Sequence, residues 1–413
     1  MEGSALVTIA VAVLAYGLVS RRIRKGVLSP PMFFVAMGLV VGPVALGVVD
    51  LHQGERAVHV FAEVTLIIVL FTDAAKVDLR ELRKDLGMPL RMLVVGMPLT
   101  IALGALAAAA LFPGLGVFEA ALLAAILAPT DAALGQAVVT DSAVPARVRG
   151  ALNVESGVND GIALPVVLAL AACAEAAGED SLGRWVGYTA KQLVLGPAAG
   201  IVVGYFGSLA VDRAARSGWM NESFALLSGL ALAVLSYGLA ERVGGNGFIA
   251  AFAAGLVMGH TVRHACGAVY EFAEAEGQLL SLITFLLFGA VLVAPASSHW
   301  SPAVALYAAL SLTVVRMLPV SIGLVGARLR PATHLFLGWF GPRGLASILF
   351  ALLILDRTAI AERELLLSVV VATVLASVFA HGITAAPGAT VYGRSMERHE
   401  RRHEMAERAA PPR

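Results

Sequence analysis

The chain alternates long apolar segments with short polar connections along almost its whole length. A helix of about 20 apolar residues crosses the hydrocarbon core of a bilayer. Thirteen segments approach that length, which predicts an all-α polytopic membrane protein with about 13 transmembrane helices. They lie at 4–20, 31–49, 57–72, 90–111, 117–138, 150–174, 185–210, 223–240, 247–262, 277–294, 302–326, 334–355 and 364–386.

Composition and charge agree with this pattern. Hydrophobic residues make up 58% of the chain and charged residues 14%, whereas soluble proteins average about 25% charged residues. Basic residues concentrate after the odd-numbered segments, for example at 21–25, 76–91, 147–149 and 213–216, and in the tail at 387–413. The positive-inside rule therefore predicts a multi-pass protein of the cytoplasmic membrane, with its N-terminus outside and its C-terminus in the cytoplasm.

Two apolar segments are interrupted at corresponding places. The fifth contains Ala128-Pro129-Thr130-Asp131, and the twelfth contains the glycine-rich stretch 338–344 around Pro342 and Arg343. Proline and glycine both weaken a helix at such points. If segment 7 (185–210) is a linker, segments 1–6 and 8–13 form two inverted six-helix repeats, and the interruptions fall in the fifth segment of each. We therefore expect two broken helices that cross at an ion site.

A polar cluster interrupts the sixth apolar segment, in the stretch NVESGVNDGIALP at 153–165. An ionisable side chain near the bilayer centre costs roughly 2.5–3.5 kcal/mol or more unless it is paired or hydrated. Glu155 and Asn159 are four residues apart on one helix face, and Ser156 and Asp160 on a neighbouring face. The alternative is a cytoplasmic loop before a capped helix, but the apolar flanks of the cluster do not favour it.

Oxygen-bearing side chains dominate the interrupted segments. Thr130, Asp131, Ser156 and Asp160 are the candidate ligands of a Na⁺ ion, because hard cations prefer oxygen. Desolvation favours the protonated form of a carboxylate, so one carboxylate can bind either a cation or a proton. Two alternatives stay open: Asp131 as a helix cap, and Thr130 as a hydroxyl that only bonds backbone.

Arg343 is the expected counter-charge within the membrane, and Glu155, which points away from the other carboxylates, is its expected partner. The two are predicted to form a structural ion pair. The alternative for Arg343 is a cytoplasmic position on a lipid phosphate, which the apolar continuation of the segment to Leu355 does not favour.

Several segments together resemble the monovalent cation–proton antiporters of the NhaP and eukaryotic sodium–proton exchanger type. The matching stretches are LFTDAAKVDLRELRK at 70–84, APTDAALG at 128–135, NVESGVNDGIALP at 153–165, GQLLSLITFLLFGAVL at 277–292, VVRMLPV at 314–320 and GPRGLASILFALL at 341–353. The resemblance implies an NhaA/NhaP-like fold of thirteen helices and a homodimer. It assigns dimerisation and scaffold helices to 1–72 and 223–294, an ion-carrying core to 90–174 and 302–386, a linker helix to 185–210 and a cytoplasmic tail to 387–413.

The resemblance also implies roles for individual residues. Asn159 and Asp160 match the family's Asn-Asp pair, in which Asp160 is the carrier of cation or proton and Asn159 adjusts the site. Thr130 and Asp131 match the start of its Thr-Asp-Pro motif, although Ala132 replaces the proline.

The two arginines have different implied roles. Glu155 and Arg343 match the family's buried ion pair. Arg316 matches an arginine of segment 11, which either stabilises the core or contacts the ion path.

The implied activity is exchange of Na⁺ or Li⁺ for H⁺, with one-for-one electroneutral stoichiometry and alternating access at Asp160. A K⁺/H⁺ antiporter of the same fold is the alternative. A cation channel is disfavoured because filters use repeated carbonyl or acidic rings, and an enzyme is disfavoured because Ser156 has no suitably spaced base. We expect no cofactor and no nucleic-acid partner: the partners are monovalent cations, protons and lipid.

Overall fold

The computed structural model describes residues 3–23, 28–47, 51–77, 87–176, 182–261, 267–355 and 360–409. Within these ranges, every regular element is helical, and a helix occupies each of the thirteen predicted positions. The fold class expected from the sequence is confirmed. The first nine positions are α1 (Gly3–Ile23), α2 (Pro30–Val41), α3 (Leu51–Lys76), α4 (Gly87–Leu111), the halves α5a (Val117–Ile126) and α5b (Ala132–Val139), α6 (Ala146–Ala176), α7 (Leu182–Arg216), α8 (Glu222–Arg242) and α9 (Gly247–Thr261). The others are α10 (beginning with Gly267–Leu287), the halves α11a (Pro302–Leu312) and α11b (Val314–Gly323), the halves α12a (Pro331–Trp339) and α12b (Leu345–Leu355), and α13 (Arg363–Ala409).

Length and composition identify the membrane-crossing helices among the described residues. Six are long and apolar enough to cross a bilayer, and four shorter apolar helices accompany them. Two of the shorter ones, α5a and α12b, are halves of broken helices, so their shortness results from the breaks. Together these features define a multi-pass membrane protein.

The two broken helices lie at the centre of the molecule. Every residue of α12b is buried, and so is the run Leu122–Ile126 at the end of α5a. Apart from Ser347, α12b is apolar on every face, which is typical of a helix enclosed by other helices. The interruptions lie where Pro129 and the stretch 338–344 predicted them, with α5b beginning at Ala132 and α12b at Leu345.

Three further irregularities were not predicted, although Pro98 and Pro295 lie four residues after positions inside the first two. Helix α4 contains a π-helical turn at Met92–Gly96, and α10 contains one at Phe288–Leu292. Helix α11 is interrupted at Thr313, whose φ is −112° and ψ −95°. This last interruption matters for the site, because Arg316 lies in the first turn after it.

Small residues allow α7 and α9 to pack closely. The Cα positions of Gly196, Gly200 and Gly204 face the α9 backbone, where Ala250 and Ala254 lie against Gly200 and Gly204. Added Cβ atoms would collide with that backbone. Packing of this kind is typical of helices in membranes, where close van der Waals contact replaces hydrophobic burial as the source of association.

Helix α13 continues beyond residue 386, the predicted end of the last apolar segment. It continues to Ala409, and its extension packs against α12a: the Tyr392 ring stacks on Phe336 with centroids 4.1 Å apart, and the Tyr392 hydroxyl lies 2.9 Å from Thr333 Oγ1. These contacts stabilise the helix beyond Pro387, which removes only one backbone donor. The first part of the predicted tail is thus a packed helix.

Candidate cation site at the helix crossing

Asp131 joins the two breaks. Its Oδ1 accepts the backbone N–H of Leu134 at 3.0 Å, and its Oδ2 accepts that of Leu345 at 2.6 Å. Its own N–H donates to Pro342 O at 2.8 Å. One carboxylate therefore caps the N-termini of both α5b and α12b, where backbone N–H groups lack intrahelical partners and the helix dipole favours negative charge.

Arg343 binds the carbonyl groups that follow the carboxyl end of α5a. Its Nη1 donates to Ala128 O at 2.6 Å and to Pro129 O at 3.3 Å, beyond the last turn of α5a. The hydroxyl of Ser347 donates to Ile126 O at 2.7 Å. A positive group at the carboxyl end of a helix is favourable, and the carbonyls released by the break are satisfied.

Glycines around Arg343 permit the crossing. A Cβ at Gly344 would collide with the Asp131 carboxylate, and a Cβ at Gly341 would collide with the Arg316 guanidinium.

Ala132, where the family motif has proline, is the first residue of α5b. Proline is favoured at that position but is not required there, and the Asp131 cap starts the helix without it.

Three polar side chains meet beside the break of α5. Thr130 Oγ1 lies 3.0 Å from Ser156 Oγ and accepts a hydrogen bond of 2.6 Å from Asn159 Nδ2. All three are buried, as is Asp160 in the next position of α6. Among the described residues no hydrogen-bond donor reaches Asp160 Oδ1. The predicted set of Thr130, Ser156 and Asp160 is therefore near the break, with Asn159 bonded into it.

The predicted ion pair between Glu155 and Arg343 is wrong. Glu155 pairs with Arg316 in a two-point contact: Oε1 lies 2.6 Å from Arg316 Nη1, and Oε2 accepts from Nη2 at 2.7 Å. Both side chains are almost completely buried. The interruption at Thr313 brings Arg316 to this position. The Arg343 guanidinium instead donates to the carbonyls at the break of α5. Of the two alternatives for Arg316, the geometry therefore favours stabilisation of the core.

Asp73 is a carboxylate that the sequence analysis did not single out. It lies near the carboxyl end of α3, close enough to interact electrostatically with both Asp131 and Asp160. Its backbone carbonyl lies against Gly157 of α6. It belongs to the matching stretch 70–84, which was the signal that could have identified it.

A cleft reaches the site from one side. Its walls include Gly135 and Val139 of α5b, Asn153 and Ser156 of α6, and Phe340 at the end of α12a. Val139 lies at the end of α5b and Asn153 in the second turn of α6, on either side of the connection 140–145. Ser156 thus lines this cleft together with residues near that connection.

The transmembrane model of the sodium/hydrogen exchanger family matches residues 9–390. A match over most of the chain, on a fold with two crossing broken helices, shows that the chain belongs to this family. The resemblance read from the sequence is confirmed.

The individual relatives share only about a quarter of their residues with this chain. The chain is 26% identical over 349 residues to "K(+)/H(+) antiporter NhaP" of Alkalimonas amylolytica, covering 81% of this chain and 57% of the relative. It is 25% identical to "Low-affinity Na(+)/H(+) antiporter NhaS1" of Synechocystis, covering 84% of this chain and 67% of the relative. The chain thus spans little more than half the length of the first curated relatives that it matches.

A solved structure shares the fold. The sodium proton antiporter MjNhaP1 from Methanocaldococcus jannaschii at pH 8 aligns with a TM-score of 0.77 at 18% identity, covering 94% of this chain and 97% of that chain. At this identity the likeness concerns the architecture, and the roles of side chains rest on the geometry given above.

Proposed function

We propose that the chain is a secondary active transporter that exchanges Na⁺ or Li⁺ for H⁺. One observation carries the proposal: the buried Asp160 carboxylate has an oxygen that no described donor reaches, and it lies one helical turn after Ser156, whose hydroxyl contacts Thr130. A buried charged oxygen without a partner is costly. A cation or a proton supplies the missing partner, and the two compete for the same carboxylate.

Thr130 and Ser156 would complete a cation site with Asp160. If Thr130 donates to Ser156 and accepts from Asn159, each hydroxyl oxygen keeps one lone pair for a cation. Asn159 would orient Thr130. Asp131 was a predicted ligand, but both its oxygens already accept backbone bonds, so we assign it to capping. Asp73 would add negative charge that attracts cations.

The proposal extends to the division of the chain into a moving and a static part and to its orientation in the membrane. Residues 90–174 and 302–386 would carry the ion past a scaffold of 1–72 and 223–294, with 185–210 as linker and two copies forming a homodimer. The N-terminus would lie outside and the C-terminus in the cytoplasm.

Potassium is the second candidate. Several relatives are named K(+)/H(+) antiporters, one of them the 26% identical NhaP of Alkalimonas amylolytica, while NhaS1 is named a Na(+)/H(+) antiporter. The same oxygen groups can bind either ion, so the names of these relatives keep potassium as a candidate.

The test is proton movement in proteoliposomes that contain the purified protein and an internal pH dye. Na⁺, Li⁺ and K⁺ are added in turn to vesicles with an imposed pH gradient, with choline as the control cation. We expect dissipation of the gradient by Na⁺ or Li⁺. Dissipation by K⁺ alone would select the second candidate, and no response to any of the three cations would contradict antiport.

A further inference from the structure

A polar stripe on α13 contacts the break of α12 and has no role in the site described above. Ser377, His381 and Thr384 are four and three residues apart, so they lie on one face of the helix. Thr384 Oγ1 accepts from the Trp339 indole Nε1 at 3.0 Å. His381 is almost completely buried, and its ring lies against the Trp339 ring with centroids 4.8 Å apart.

The ring nitrogens of His381 have assigned partners. Nε2 lies 2.9 Å from Trp339 O, the last carbonyl of α12a, and a carbonyl can only accept, so Nε2 carries a proton. Nδ1 lies 3.1 Å from Ser377 Oγ and 3.0 Å from Ser377 O. The hydroxyl of Ser377 accepts the Arg343 N–H at 2.7 Å, which leaves its own proton free for Nδ1.

A neutral imidazole with its proton on Nε2 donates to Trp339 O and accepts the Ser377 hydroxyl proton at Nδ1, and it makes no hydrogen bond to Ser377 O. A doubly protonated ring would instead donate from Nδ1 to Ser377 O. That form would add a positive charge in the interior, where the guanidinium groups of Arg343 and Arg316 already act on the ring. The charges therefore oppose it.

We propose that His381 and Ser377 are positioning residues for the cation site. His381 holds the carboxyl end of α12a at Trp339, and Ser377 holds the backbone of Arg343 four residues further on. The guanidinium of Arg343 in turn holds Ala128 and Pro129, which directly precede Thr130. The contacts thus run without interruption from α13 to the residue that contacts Ser156 and Asn159.

The kinetic test of this inference requires that the protein exchanges cations as proposed, whereas the spectroscopic test does not. The kinetic test compares His381→Phe, which keeps a ring and loses both nitrogens, with His381→Gln, whose amide can donate near the position of Nε2. His260→Phe is the matched control, since His260 is exposed in the last turn of α9.

We expect His381→Phe to raise the cation concentration for half-maximal exchange about fivefold, the equivalent of one net hydrogen bond of about 1 kcal/mol. His381→Gln should return it to within about twofold of the unaltered protein, which is less than half of that free energy. His260→Phe should leave it unchanged. A His381→Phe protein that is less stable but has an unaltered half-saturation concentration would overturn the positioning role.

The spectroscopic test uses ¹⁵N-histidine-labelled protein in proteoliposomes, with His381→Gln subtracted to identify the signal of His381. We expect a neutral imidazole protonated on Nε2 at pH 7. A ring without a proton on Nε2 would overturn the positioning role, because Nε2 could then not donate to Trp339 O. This measurement stays decisive if His381→Phe does not fold. It also stays decisive if the protein exchanges none of the three cations, in which case only the proposed function fails.

Discussion

Asp160 is the residue on which the transport proposal depends most directly. Asp160→Asn keeps the size of the side chain and removes its charge, so the variant should fold, insert and exchange no cation for protons. The reason is that a neutral amide cannot bind a cation and a proton alternately.

Proteoliposomes with a pH dye measure this, at a protein density matched by quantitative blotting. Asp212→Asn is the control, because that carboxylate lies on α7 in a surface pair with Arg216. Cation-driven proton movement by Asp160→Asn would remove Asp160 from the carrier role.

The Glu155–Arg316 pair makes a separate prediction about stability. Removing one partner of a buried ion pair typically costs about 3–5 kcal/mol, because the other charge stays buried and unpaired. Glu155→Gln and Arg316→Met should each lower the melting temperature in detergent, and the double variant should recover part of the loss. Strictly additive losses would show that the pair does not couple energetically.

Arg343 provides the comparison for this set of single and double variants. Its guanidinium donates to backbone carbonyls rather than to Glu155, so the coupling between Glu155→Gln and Arg343→Met should be the weaker of the two. A stronger coupling there would favour the pairing that the sequence predicted over the one in the structure.

At the scale of elements, the crossing depends on one carboxylate that caps two half-helices. Asp131→Asn can offer only one acceptor oxygen, so its amide nitrogen must face the N–H of Leu134 or of Leu345. A buried donor left without an acceptor costs about 1–3 kcal/mol. We expect a lower melting temperature and reduced, but not abolished, exchange.

The control for this prediction is Asp141→Asn. Asp141 also accepts a backbone bond, from Ala143 N, but in a surface turn between α5b and α6. Asp141→Asn should therefore change the melting temperature little. Near-native stability of Asp131→Asn together with loss of saturable cation dependence would instead identify Asp131 as a ligand.

The sequence could predict the crossing but not the partners inside it. Pro129 and the glycines around Arg343 interrupt the helices by local chemistry, which is visible without tertiary structure. The choice between Arg316 and Arg343 as partner of Glu155 depends on the interruption at Thr313, and no proline or glycine marks that position. His381 was missed for a related reason: a single histidine in an apolar segment gives no indication of the carbonyl it meets.

At the scale of the whole molecule, the breaks of α5 and α12 meet at one site beside the buried half-helix α12b and the buried end of α5a. Arg343 and Asp131 connect the two broken helices directly, and α13 connects to α12 through Ser377 and His381. A displacement of one broken helix must therefore break these contacts or move the other helix with it. Alternating access by movement of a connected core is consistent with this arrangement.

Charge balance at the site leads to the last prediction. Asp160 would cross the membrane with either one monovalent cation or one proton, and it is neutral overall in both states. The Glu155–Arg316 pair adds no net charge, and the two backbone donors to Asp131 favour a constant ionised state of that carboxylate. If Asp73 also keeps its state during the cycle, one cation exchanges for one proton and no net charge moves.

Capacitive currents from proteoliposomes on a solid-supported membrane measure the displaced charge directly. A cation jump should produce no sustained current in the same preparation in which the pH dye reports exchange. Since one charge moved across 100 mV is worth about 2.3 kcal/mol, an electrogenic cycle would accelerate strongly under an imposed potential. Net charge per turnover in the unaltered protein, abolished in Asp73→Asn while exchange continues, would show that Asp73 carries a second proton and that the cycle is electrogenic.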